Sequence, residues 1–496
     1  MLRQTGVLCP LSALPGAPHI GDLGAGARRW VDHLARHGVE VWQLLPLHPT
    51  SAAFGNSPYS ASSVFAGDER YVSVEAFGGS GVQKSESTRD AGVSGAVDYD
   101  EALRVRRGVI DALWAAPPAE LLQEFEFWRQ PNLWVDDYAL WRVLADERGT
   151  DEWTAWPAEL RAPDTDAVAA FAKTHRDAIR RVAFGQFLFA RQFADLRDYA
   201  AERGVQLLGD LPIYPHLDSA DVWANREAFR LDADTGRPTV VAGVPPDYFS
   251  ETGQLWGNPV YDWDRLAADD FAWWRERLRY ACHQYGRVRI DHFIGLARAY
   301  EVPAGDADAR GGSYRDVPTD ALLRALARDL PGLPIVAEDL GAEHPATALA
   351  LERWRLPGMR VLQFGFGGAS DNPHLPHNYP RTCVAYTGTH DNDTARGWYT
   401  GGASAEERAH LRRYAGGGAV DTVSPGEAVA MMLRLLLASP AALRIAPVQD
   451  VLGLGGEARV NTPGTARGNW TWRAGEGELY GEGAWERFGG LLATYR

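Results

Sequence analysis

Short apolar runs that end on a polar or turn residue recur eight times along the chain: GVLCP, VWQLLP, VQLLGDLP, RVRIDHF, PIVAEDLG, RVLQFGF, CVAYTGTHD and LRIAPVQD. Between several of them, apolar residues fall at three- and four-residue spacing, the signature of amphipathic helices. VAFGQFLFARQFADLRDYAAERG is the clearest, with Gly204 placed to stop it. In SPGEAVAMMLRLLLASP, Ser424 and Glu427 form a capping box and Pro425 takes the first helical position. Near-continuously apolar strands that alternate with helices predict parallel strands buried on both faces. Eight such strands predict an α/β fold, a (β/α)8 TIM barrel.

The barrel is not a minimal one. A segment from about residue 48 to 203 separates the second and third runs, and another from about 214 to 270 follows the third. Both read as large, mostly helical insertions. The first is rich in tryptophan, as in EFEFWRQPNLWVDDYALWRVLADERG, and predicts a helical subdomain on top of the barrel. Neither an internal repeat nor a linker divides the chain, so residues 1–496 read as one composite catalytic domain.

Composition narrows the partners. With 45% hydrophobic and 23% charged positions the chain is ordinary globular protein. A net charge of −15 repels phosphate backbones and anionic membranes, which excludes a nucleic-acid partner and leaves a neutral ligand as the better fit. The apolar run at the N-terminus is too short for a signal peptide, and AVAMMLRLLLA is interrupted by Arg434, so no membrane span is expected. Three cysteines, Cys9, Cys282 and Cys383, in so long a chain point to a reducing cytoplasm.

Barrel enzymes take their catalytic groups from the C-terminal ends of several strands. Here Asp210 ends the third run, Asp291 the fourth, Glu338 and Asp339 the fifth and Asp391 the seventh. Any one of them could be a helix cap or a loop ion pair; together, without an excess of basic residues at those ends, they point to a site. Arg289 and Asp291 are two apart on a strand and share a face, so the guanidinium keeps the carboxylate ionised, as a nucleophile requires. Glu338 follows only apolar residues, and burial there raises its pKa and retains a proton for donation. Two carboxyls in opposed environments suit glycoside chemistry. Asp339 should point the other way and bond locally. GVLCPLSAL carries no imidazole, and only His292 and His390 stand at later strand ends, which argues against a metal. GLGGEAR reads as a loop turn and no Walker motif occurs, so no phosphate or cofactor site is expected.

VRIDHF, VAEDLG, LPGMRVLQFGF and YTGTHDNDT resemble the amylomaltases, the 4-α-glucanotransferases of glycoside hydrolase family 77, relatives of the α-amylases. NSPYSASSVFAG, LGDLPIYP, VVAGVPPDYFSETGQLWGNPVYDW and RVNTPGTARGNWTWR extend the resemblance over nearly the whole chain. It implies that Asp291 is the nucleophile, Glu338 the general acid/base and Asp391 the transition-state stabiliser, with Arg289 and His390 contacting the sugar. Asp210 would support the same subsite, and Tyr59 would stack on the reacting glucose. Asp247 and Trp256, in the 214–270 segment, would cover donor and acceptor units, and Asn461 would line the acceptor side. The implied activity is retaining transfer of α-1,4-linked glucan segments between maltooligosaccharides or other α-1,4-glucans, without a metal or cofactor. A hydrolase using the same carboxylates, and a silent glucan-binding protein, are the alternatives. His19 and Asp68 depart from the family pattern outside the proposed chemistry.

Overall fold

The structure, a computed structural model, describes residues 3–77, 95–246, 250–341, 344–416, 423–465 and 467–495. The eight apolar runs fold into the strands of one parallel sheet: β1 (Gln4–Leu8), β2 (Val41–Gln43), β3 (Gln206–Leu211), β4 (Arg287–Ile290), β5 (Ile335–Ala337), β6 (Met359–Val361), β7 (Val384–Tyr386) and β8 (Leu443–Pro447). Their order is β5-β4-β3-β2-β1-β8-β7-β6, so each strand lies beside its neighbours in sequence. A parallel bridge between Ala337 and Gly358 joins the two ends of that order and closes the barrel.

The seam between β5 and β6 is stitched differently from the other contacts. Ala337 N donates to Pro357 O at 2.9 Å. The next rung is a side chain: Met359 N donates to Asp339 Oδ1 at 2.6 Å, and Arg360 Nη1 reaches Asp339 Oδ2 at 3.3 Å. Asp339 thus points away from the mouth and bonds locally, as its alternation with Glu338 requires. Gly358 makes room for it, since a Cβ there would stand 2.5 Å from Asp339 Oδ2.

Helices Ala25–Arg36, Arg176–Glu202, Ala272–Tyr285, Thr319–Asp329, Pro345–Trp354 and Pro425–Ala438 precede or follow the strands. The helix Arg176–Glu202 stops where Gly204 takes φ +73°, and Pro425–Ala438 starts with the full Ser424–Glu427 capping box. Within the 48–203 segment stand Tyr99–Ala115, Ala119–Arg129, Trp134–Arg148 and Asp166–Thr174. Their apolar faces meet the long helix through ring contacts such as Phe125–Phe184 at 5.5 Å and Phe125–Phe187 at 5.8 Å.

The 214–270 segment adds a sheet to its short helices, which the helical expectation did not include. Val240–Val244 pairs antiparallel with Gln254–Pro259 and with Arg298–Pro303, which in turn pairs with Ser313–Asp316. Two of these four strands follow β4, so the sheet is completed only by chain that lies beyond the segment. Among the described residues no helix is long and apolar enough to cross a membrane, and Cys9, Cys282 and Cys383 are all buried and free.

Candidate active site

Asp210 and Arg289 are register partners on β3 and β4. Arg289 Nη1 lies 2.8 Å from both Asp210 oxygens and Nη2 lies 2.8 Å from Asp291 Oδ1. Arg289 and Asp210 are buried, and Asp291, half-buried, opens toward the mouth. The charged residues inside an otherwise apolar strand are therefore one three-member ion-pair network. A buried guanidinium without such partners would cost several kcal/mol. Burial raises the Asp291 carboxyl above its usual range, and Arg289 beside it opposes that rise. The sequence expectation counted the guanidinium and not the loss of water around the carboxyl.

The ladder pairs Val336 with Arg289 and Ala337 with Ile290, so Glu338 and Asp291 are the next residues on neighbouring strands. Glu338 Oε2 accepts from His292 N at 2.8 Å, and Oε1 from Leu340 N at 2.7 Å. Burial lifts its pKa to about 8, against the pull of Arg289, with the neighbouring Asp291 charge adding to the rise. His292 adopts φ +48°, which aims its N–H at Glu338. Its ring, held neutral by burial with a pKa near 4, meets Trp256 edge-on at 4.7 Å.

On the other side of the mouth, Tyr59 O–H donates to Asp210 Oδ2 at 2.8 Å and its oxygen lies 2.9 Å from His390 Nε2. With that hydroxyl proton given to Asp210, His390 Nε2–H is the donor to Tyr59. The Tyr59 ring stacks on His390 at 5.3 Å and leans on Trp470 at 5.8 Å. Asp391 Oδ1 accepts from Asn461 Nδ2 at 2.6 Å and lies 3.4 Å from His390 Nε2.

Tyr59, Trp256, Asp291, His390, Asp391 and Asn461 line one open cleft of about 530 Å³. Asp210 and Arg289 do not line it but are bonded to Tyr59 and Asp291, which do, and Glu338 stands next to Asp291 on the neighbouring strand. Asp247 lies outside the described residues. Three participants were given no role in the site from the sequence: His292, Trp470 and Arg459, which donates to Asp391 O at 2.6 Å. The first lies beside a singled-out aspartate. Trp470 and Arg459 lie inside a segment, RVNTPGTARGNWTWR, noted only for its resemblance. Among the described residues no cluster of three or more His, Cys, Asp or Glu side chains could hold a metal ion.

Comparison with known proteins matches the site to a family. The 4-alpha-glucanotransferase family model matches residues 9–477. The 4-alpha-glucanotransferase of Thermus thermophilus is 40% identical over 485 residues, covering 96% of each chain. The chloroplastic/amyloplastic 4-alpha-glucanotransferase of Solanum tuberosum is 37% identical, covering 95% of this chain and 82% of its own. The solved structure of the Streptococcus agalactiae amylomaltase in complex with acarbose superposes with a TM-score of 0.93 at 31% identity, covering 99% of both chains. An eight-stranded barrel with clustered carboxylates, a family model spanning nearly all of it and relatives alike over almost their full length agree: the chain belongs to the 4-alpha-glucanotransferase family.

Proposed function

We propose that this 4-alpha-glucanotransferase works by a retaining, covalent mechanism in which Asp291 is the nucleophile and Glu338 the general acid/base. The observation that carries the reading is the register match that sets these two carboxyls side by side, one ion-paired to Arg289 and the other lifted to about 8. Adjacent strands run about 4.8 Å apart, which suits the spacing of roughly 5–5.5 Å that retaining enzymes use. Asp291 attacks the anomeric carbon while Glu338 gives its proton to the departing glycosidic oxygen. Glu338, now a carboxylate, takes the proton of an acceptor 4-hydroxyl as that oxygen displaces Asp291 from the same carbon.

Asp391, held by Asn461 at the cleft wall, stabilises the oxocarbenium-like charge between those steps. Arg289 and His390 bind the sugar in the cleavage subsite, Asp210 orients Arg289 and Tyr59, and Tyr59 offers its ring to the reacting glucose. Trp256, and Asp247 from the same insertion, cover the donor and acceptor units. Maltooligosaccharides and other α-1,4-glucans are the substrates; the acarbose held by the Streptococcus agalactiae relative supports that choice. Segments 48–203 and 214–270 are outgrowths of one composite domain. Three free, buried thiols suit a reducing cytoplasm.

The test is product analysis with maltotriose. The wild type should give glucose together with longer oligomers, and shortening alone would mean hydrolysis by the same carboxylates. Asp291→Ala and Glu338→Ala should each lower transfer by at least about 10³-fold with folding intact. Folded variants that keep near-full rates would overturn the assignment.

A further inference from the structure

We propose that Arg459 is a positioning residue for the transfer reaction, holding the Asp391 carboxylate in its working orientation from behind. The inference rests on the stabilising role given to Asp391 above. Arg459 Nη2 donates to the main-chain carbonyl of Asp391 at 2.6 Å, and Nε donates to the carbonyl of Asn461 at 2.7 Å. Asn461 in turn donates Nδ2–H to Asp391 Oδ1 at 2.6 Å, and its N–H to the carbonyl of His390 at 3.2 Å. Three of the four bonds tie the loop after β8 to the loop after β7, and the fourth, Arg459 to Asn461, braces the β8 loop itself. One guanidinium thereby sets both the backbone that carries Asp391 and the amide that fixes its carboxylate.

The chemistry of the link is specific. Both of these Arg459 bonds end on main-chain carbonyls rather than on a carboxylate, so the guanidinium acts on the path of the backbone. The guanidinium donates in two directions from a rigid plane, which an ammonium cannot reproduce. Arg459 follows a short turn, Gly456–Ala458, and precedes Val460, whose carbonyl accepts from Trp470 N at 2.7 Å. Trp470 packs on Tyr59 and His390. The same link thus supports the aromatic wall of the cleavage subsite. Arg459 does not line the cleft that Asp391 and Asn461 share, so its effect should fall on the reacting geometry rather than on binding.

The experiment is steady-state kinetics on maltotriose with Arg459→Ala, Arg459→Lys and Asp391→Asn, together with thermal melting of each. A carboxylate misplaced by about 1 Å can cost roughly 10²-fold. The expected result is a kcat lowered about 10–100-fold in Arg459→Ala with KM within about twofold, partly restored by millimolar guanidinium that leaves the wild type unchanged. Arg459→Lys, which keeps the packed stem, should show the same kcat loss and resist rescue. A kcat within twofold of wild type in either folded variant, a loss confined to KM, or a loss that guanidinium does not restore in folded Arg459→Ala would overturn the proposal. If Arg459→Ala does not fold, the kcat of Arg459→Lys decides alone. Asp391→Asn at full rate would overturn the Asp391 role and this inference together; its inactivity beside a fully active Arg459 variant would overturn this inference only.

Discussion

Arg289 divides its two terminal nitrogens between Asp210 and Asp291 and makes no hydrogen bond to Glu338, whose burial sets the pH behaviour of the site. Burial outweighs the opposing pull of Arg289 and of two backbone N–H groups on Glu338, and its pKa rises to about 8. A proton donor is competent while protonated, so kcat/KM should hold up to about pH 8 and fall above it as Glu338 loses its proton. The same shift has a stability sign. Between the ordinary glutamic acid range and pH 8 the folded chain binds a proton that the unfolded chain does not, so Glu338's contribution to stability is present at low pH and declines as pH rises toward 8. A pH–rate profile checks the first statement; an alkaline limb near pH 6 would contradict it. Much of this was legible in the sequence, because Arg, Asp and Glu inside apolar strands cost too much to be incidental. His19 shows the limit: it takes φ +69°, a left-handed conformation that local pattern alone does not announce.

At the scale of elements, strand and helix positions followed from periodicity, and capping residues marked helix ends to within a residue or so at Gly204 and Ser424. What stayed hidden depends on partners distant in sequence. The four-stranded sheet needs Arg298–Pro303, about fifty residues beyond its first strand, and no local pattern records that pairing. The roles of Asp339 and Gly358 are likewise visible only once β5 and β6 meet. Asp339→Ala should remove a charge-assisted bond to a backbone N–H and cost about 1.5–3 kcal/mol of stability, read by urea unfolding. A change under about 0.5 kcal/mol would mean that the seam does not depend on it. Gly209 constrains β3 in the same manner: a Cβ would stand 2.5 Å from the Tyr285 ring.

For the whole molecule, the decisive question is whether the proposed glucosyl-enzyme meets sugar or water. Trp256, about one-third exposed at the cleft and braced edge-on by His292, is the aromatic best placed to hold an acceptor there. Transfer should exceed hydrolysis on short maltooligosaccharides. Trp256→Ala should lower the transfer-to-hydrolysis ratio several-fold, measured as new reducing ends per glucosyl unit moved; an unchanged ratio would refute the covering role. Aromatic content alone could not single out this residue, because most of the tryptophans are packing. Trp30, Trp42, Trp141, Trp153, Trp156, Trp223, Trp263, Trp274 and Trp485 are essentially without solvent contact. The seam between β5 and β6 has a consequence of a different kind. A barrel held at one joint by a single bridge and one aspartate has a preferred place to fray, and Glu338, the proposed acid/base, is the residue next to that joint. Warming should admit water there first, returning Glu338 to an ordinary carboxylic acid while the remaining strands still hold. Heat would then silence this enzyme before it melts it, with activity lost several degrees below the transition seen by circular dichroism.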